Sequence, residues 1–298
     1  MAKNINLTRS PVNASHIAQQ TAHEAKRQVR PWVVGLARMG FAAKGIVYGV
    51  IGFLALRAAL GAGGQTTNSQ GALYQIAQQP FGRILLVCMG LGLIGYALWR
   101  FVQAAVDPEN KGSDAKGTMK RIGYAVSGFI HCGLAFSAFG IVLGSAGGSS
   151  AGGSSAGGGS SQQHWTAKLL AQPLGQWLVG IVGVLIFGAG LYSCYLAYNA
   201  KFREKLNLAQ MSHTEDTWIT RAGRLGLCAR GLLLGIIGWF FMRTAQQADP
   251  GQSGGLDRAL DMLANQLHGR WLLGGVAVGL IAYGLYALAE ARYRRIYL

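Results

Sequence analysis

Arg38, Arg121 and Arg224 each open the same pattern, Arg-x-Gly-x4-Gly, once in every third of the chain. A guanidinium grips a phosphate with two parallel hydrogen bonds, so arginines at the edge of a membrane can take an anionic lipid headgroup. The same arginines can act only as cations that fix orientation; both readings stand at this level. Arg83 and Arg270 form a second, more widely spaced pair, which would favour anions along a pore. His131 is the only histidine inside an apolar run, and an ionisable group there is a functional candidate by position. With no second histidine or acid nearby it builds neither a metal site nor a proton relay, and a hydrogen bond to Ser127, four residues back, is expected.

Other chemistry is missing. Nucleophile–base sets, paired carboxylates and HExxH are absent. No Asp or Glu lies in the core of an apolar run, whereas ion-coupled carriers usually keep a carboxylate there. Gly90-Leu91-Gly92-Leu93-Ile94-Gly95 spells a dinucleotide fingerprint. It sits inside an apolar run with no preceding strand and no acidic partner downstream, so close helix packing explains it better. Cys88, Cys132, Cys194 and Cys228 are also within apolar runs, without metal or disulfide spacing. No catalytic residue, cofactor or metal is expected.

The elements that must position these residues are set by composition. The 298 residues are 51% hydrophobic and 13% charged, against about 25% charged in soluble domains. Mean hydropathy is +0.27. Six apolar segments, at about 41–62, 84–106, 122–146, 174–197, 227–245 and 271–289, each approach the roughly 20 residues that cross a bilayer as helix. Lys44 and Arg57 bracket the first and Arg230 and Arg243 the fifth; their long side chains are expected to reach the interface.

The net charge of +16 is distributed by side. All but Arg57, Arg83, Lys168, Arg243, Arg258 and Arg270 of the 27 Lys and Arg fall with the termini and the second and fourth connections. The positive-inside rule then puts both termini in the cytoplasm. No basic face interleaved with exposed aromatics is present, so no nucleic-acid partner is expected.

The six segments form three copies of one hairpin. The openings Arg38–Gly45, Arg121–Gly128 and Arg224–Gly231 align; Ser127 of the second copy stands where the others have Lys44 and Arg230. Gln79-Pro80-Phe81-Gly82-Arg83 answers to Gln172-Pro173-Leu174-Gly175-Gln176 and Gln266-Leu267-His268-Gly269-Arg270. Gly92-Leu93-Ile94-Gly95-Tyr96 answers to Gly279-Leu280-Ile281-Ala282-Tyr283. Because each copy crosses twice, all enter with one polarity, which predicts a pseudo-threefold bundle. The units read 36–106, 119–200 and 220–290, with a basic N-terminal segment 1–35, a Gly/Ser-rich loop 147–161 and a basic tail 291–298.

Three finer expectations follow. Leu73, Ile76 and Ala77, and Leu256, Leu260, Leu263 and Leu267, predict short amphipathic helices in the interface before the second crossings. Small residues four apart, Gly45/Gly49, Gly231/Gly235 and Gly275/Gly279, predict close helix contacts. Tyr96, Trp99, Tyr192, Tyr283 and Tyr286 predict an aromatic belt. Ile17–Val29 could lie as a basic surface helix or remain a solvated tail.

The recurring Arg-x-Gly-x4-Gly opening, the Gln-Pro-Phe-Gly-Arg entry and the Gly-Tyr-Ala-Leu-Trp close resemble the bacterial membrane family called domain of unknown function 1206, over about Leu36 to Glu290. The resemblance implies three two-helix repeats in a bacterial cytoplasmic (inner) membrane and carries no activity. The expected class is therefore an all-α polytopic membrane protein with six transmembrane helices in three tandem hairpins. The leading functional expectation is a non-enzymatic scaffold that packs with anionic headgroups at the cytoplasmic face or with a membrane-protein partner. The alternatives are an uncoupled pore or carrier for a small anion along the pseudo-threefold axis, and a lipid-acting enzyme.

Overall fold

A helix with no polar stripe must find its partners by backbone approach, and glycine sets where that happens. The computed structural model describes residues 11–62, 66–106, 115–144 and 158–294, and its elements are nine α-helices joined by short 3-10 turns. They are α1 (Pro11–Ala59), α2 (Ser69–Ala77), α3 (Gly82–Val106), α4 (Ala115–Val142), α5 (Gly158–Leu170), α6 (Gly175–Tyr198), α7 (His213–Gln247), α8 (Leu256–Ala264) and α9 (Gly269–Tyr293). Among them, α1, α3, α4, α6, α7 and α9 carry stretches long and apolar enough to cross a bilayer. Ile17–Val29 forms part of α1, and its side chains lie outside the described residues, as does most of the Gly/Ser-rich loop.

The six long helices form a ring in the order α4, α3, α1, α9, α7, α6. First and second helices of the repeats alternate around it, as a pseudo-threefold requires. The strongest packing is between repeats: α1 on α9, α6 on α7 and α3 on α4. Within repeats, α1 packs on α3 and α7 on α9, but α4 and α6 barely touch. The second hairpin is therefore split, with its two helices at the two ends of an open ring.

Close contacts use glycines seven residues apart, two turns along one face, as well as four apart. A Cβ at Gly45 or Gly52 would come within 2.8 Å of the α9 backbone, and one at Gly231 or Gly238 within 2.8 Å of the α6 backbone. The expected four-residue pairs receive the opposing glycine, since a Cβ on Gly284 would stand 2.7 Å from Gly45 O and 2.9 Å from Gly49 N, and one on Gly190 2.7 Å from Gly231 O and 2.9 Å from Gly235 N; Gly275 has nothing within 4 Å of its own Cβ position. Gly92 fits the packing explanation, because a Cβ there would meet the Met39 carbonyl at 2.8 Å.

The short helices exist, but their apolar faces cover protein. Leu73 and Ile76 of α2 and Leu260 and Leu263 of α8 are buried on a core with Ile51, Leu86, Leu93, Leu233 and Leu280. Leu267, by contrast, lies beyond α8 and is 96% exposed. The repeated glycine after each short helix is explained by space. A Cβ on Gly82, Gly175 or Gly269 would stand 2.0, 2.1 or 1.9 Å from the carbonyl oxygen of Ile76, Leu169 or Ala264. Thus the Gln-Pro-x-Gly entry turns the chain so tightly that no side chain fits.

Candidate functional site

At the end of the ring where α9 finishes, the apolar core stops and a cavity of about 160 Å³ begins. Lys44 lies seven residues into the apolar stretch Ala37–Ala59, which is about 10 Å along a helix from that end. All three repeats contribute walls: Lys44, Tyr48, Tyr96 and Arg100 from the first, Ser127, His131 and Leu196 from the second, and Leu227, Arg230, Tyr283, Tyr286 and Glu290 from the third. Phe202 and Lys205 from the α6–α7 connection and Arg294 after α9 complete the lining.

The repeat explains the convergence. Lys44, Ser127 and Arg230 share one register position, and all three face the cavity. The Lys44 ammonium stands 5.8 Å from the Tyr96 ring centre and 5.0 Å from that of Tyr283, within cation–π range. It has no hydrogen-bond acceptor among the described residues. Arg230 lines the cavity with Tyr48 and lies 5.6 Å from the Tyr283 ring. The rings of Tyr48 and Tyr283 meet edge to face at 4.8 Å. Arg100 donates to the Tyr96 hydroxyl from Nε (2.9 Å) and Nη2 (2.5 Å), and to Gln103 Oε1 from Nη1 (3.1 Å).

One carboxylate balances this set. Glu290 accepts from Arg294 Nη1 at 2.5 Å, both side chains being nearly buried. The Arg294 guanidinium also covers the Phe41 ring at 4.6 Å. Among the described residues, five cationic side chains therefore surround the cavity against one acid.

The floor is tied down by polar contacts outside the apolar core. Leu206 and Arg294 form an isolated antiparallel bridge, and Asn207 N donates to the Tyr293 carbonyl at 2.8 Å. Ser212 caps α7 in a reciprocal box with Glu215, and the Tyr293 hydroxyl donates to Glu215 at 2.9 Å. Arg203 pairs with Asp216 at 2.6 Å. These contacts press Phe202 edge-on against Tyr286, 5.2 Å between ring centres. Farther out, Lys201 donates to the Tyr195 hydroxyl at 2.7 Å, which holds its ammonium above the ordinary lysine range.

His131 lines the cavity, with its ring 4.5 Å from that of Tyr96. Its Nδ1 lies 2.7 Å from the Ser127 backbone carbonyl rather than the hydroxyl. A carbonyl can only accept, so Nδ1 carries a proton and Nε2 is the nitrogen left for other contacts. The five candidate arginines do not join it. Arg38 and Arg224 are exposed, and Arg121 donates to the Ala104 and Ala105 carbonyls at the end of α3, at 2.7 and 3.0 Å. Arg83 and Arg270 are exposed in the first turns of α3 and α9, at the opposite end of the ring.

The aromatic belt requires correction. Tyr96, Trp99, Tyr283 and Tyr286 are buried inside the ring, and only Tyr192 of the five is exposed. The Tyr96 hydroxyl accepts from Arg100, and the Tyr283 ring lies against Lys44 and Arg230, so interior cations hold these two rings inward. The sequence signal for the cavity was available: Lys44 and Arg230 repeat at one position, as do Tyr96 and Tyr283.

Comparison with known proteins agrees with this architecture. An uncharacterized protein of Bacillus subtilis (strain 168), YxxB, is 35% identical over 269 residues, which span 90% of this chain and 94% of the relative. No solved structure matches the chain. The model of the family Domain of Unknown Function (DUF1206) matches at residues 39–107, 122–200 and 225–294, one match to each hairpin, and the chain therefore belongs to the DUF1206 family.

Proposed function

We propose that this multi-pass membrane protein is a non-enzymatic binder of an anionic, phosphate-like group, held in the cavity between the three repeats. One observation carries the reading: five cations, Lys44, Arg100, Lys205, Arg230 and Arg294, line one small cavity with Glu290 as the one acid among the described residues. Like charges gathered in a low-dielectric setting repel one another by several kcal/mol per close pair. A bound anion relieves that repulsion, and guanidinium and ammonium donors match its oxygens.

At about 160 Å³ the cavity suits a headgroup-sized oxyanion with some water, below the roughly 300 Å³ of pockets that enclose a drug-sized ligand. The lining supports binding rather than catalysis. His131 is bonded to a backbone carbonyl, and Glu290 is engaged by Arg294, so no nucleophile–base–acid chain forms. The apolar core above the cavity, with Ile51, Leu93, Leu233 and Leu280, argues against a through-pore. The side distribution of Lys and Arg supports an inner-membrane location with cytoplasmic termini, so that the cavity faces the cytoplasm. Anionic headgroups are the favoured partner, and a membrane protein could share the assembly; nothing supports nucleic acid.

The test is binding of inorganic phosphate and of dihexanoyl phosphatidic acid to the purified protein, read by calorimetry. The expectation is saturable binding of at least one probe, recovered unmodified, with at least tenfold loss in a Lys44→Gln/Arg230→Gln variant. Absence of binding by both probes, equal binding by the variant, or chemical turnover of a probe would overturn the proposal.

A further inference from the structure

We infer that the seam between α4 and α6 is a lateral portal through which an anionic membrane lipid places its phosphate in the cavity while its acyl chains stay in the bilayer. This rests on the anion-binding reading and adds the source of the anion.

The first argument is packing. In the first and third repeats the two helices of a hairpin pack together, whereas α4 and α6 barely touch. Both nevertheless line the cavity, α4 with Ser127 and His131 and α6 with Leu196. The wall on this side is thus two helices that do not close on each other.

The second argument is chemistry at matched positions. Carried through the repeat from Gly82, Gly175 and Gly269, Tyr96 and Tyr283 correspond to Ala189. Tyr96 is 1% and Tyr283 2% exposed, but Ala189 is exposed. In the same register Leu93 and Leu280 are buried, whereas Ile186 is only half-buried. Gln103 and Glu290 correspond to Leu196, and Lys44 and Arg230 to Ser127. The second repeat has therefore lost its bulk and its charge on the side where the ring is open. An uncharged gap beside a cationic cavity fits an amphiphile: charge complementarity holds the head, and lipid tails are as apolar as the leucines they meet. A free anion arriving from water would need no gap in the membrane plane.

The test uses the full chain in nanodiscs of equal phosphatidylglycerol and phosphatidylcholine, followed by gentle release and mass spectrometry. Retention of phosphatidylglycerol over phosphatidylcholine by fivefold or more is expected. An Ala189→Trp variant should lower that retention at least fivefold while still binding inorganic phosphate like the wild type. Phosphatidylglycerol with a photoreactive acyl chain, applied to the unmodified protein, should cross-link to α4 and α6, which keeps the test independent of how the variant folds. Equal retention of the two lipids, cross-links elsewhere on the ring, or Ala189→Trp without effect on retention would overturn the portal. If phosphate binding persists in those cases, the cavity still takes an anion and only its lipid origin falls; loss of all anion binding removes both.

Discussion

Lys44 and Arg230, equivalent residues of the first and third repeats, flank the ring of Tyr283, with their charged groups 5.0 and 5.6 Å from its centre. Two cations thus share one aromatic ring in a cavity that holds a single acid among the described residues. Removing one of them relieves repulsion in the anion-free state and removes a donor in the bound state. Arg230→Gln should therefore raise the melting temperature of the anion-free protein by a few degrees and weaken phosphate binding about tenfold, since charge-assisted hydrogen bonds contribute about 1.5–3 kcal/mol. Thermal melts in detergent with and without phosphate read both effects. A fall in stability with unchanged affinity would contradict the assignment.

Glu290→Gln should have the opposite pattern. The change withdraws the carboxylate from Arg294, to which it is bonded in a nearly buried pair. Breaking one side of such a pair costs about 3–5 kcal/mol. The same change raises the positive charge of the cavity, so phosphate should bind more tightly and restore much of the lost melting temperature. Calorimetric titration of the variant checks the affinity, and melts over a phosphate series check the rescue.

Tyr96→Phe removes the acceptor that Arg100 uses from two of its nitrogens. The ring and its packing on Phe41, 5.0 Å between centres, stay in place. A loss of about 1–3 kcal/mol is expected from the Nε and Nη2 donors left unpaired, while Nη1 keeps its bond to Gln103. Trp99→Phe, which leaves that pair intact, is the comparison for the denaturation experiment.

The glycine at the start of each second helix provides a stability test that does not involve the cavity. Gly82→Ala, Gly175→Ala and Gly269→Ala each place a methyl group about 2 Å from a carbonyl oxygen, and overpacking of this kind costs about 1–3 kcal/mol or more. Gly49→Ala and Gly275→Ala, with nothing within 4 Å, should be neutral or slightly stabilising because alanine is the better helix former. Equal melting temperatures for the two sets would show that the tight turns relax freely.

Much of the fold was readable because the hairpin is written three times. The Gln-Pro-x-Gly entry marked the tight turn, and the leucines of α2 and α8 marked the short helices. The site was harder to read. Lys44 and Arg230 lie near span ends, where a long cation can reach water, so composition could not distinguish reaching outward from turning inward. Tyr96 and Tyr283 have the depth of an interfacial belt, and only the ring order shows that they face the axis. The split of α4 from α6 depends on contacts between distant segments, which no local pattern encodes.

The ring order has a consequence for biogenesis. When the second hairpin has been synthesised, both its trailing helix α6 and the leading helix α1 still await partners, α7 and α9, that belong to the third. The last hairpin is the keystone: it wedges between the two loose ends and completes the cationic chamber in one step. A chain cut short after the second hairpin would hold two unmatched glycine faces in the bilayer and only two, Lys44 and Arg100, of the five cations that define the pocket.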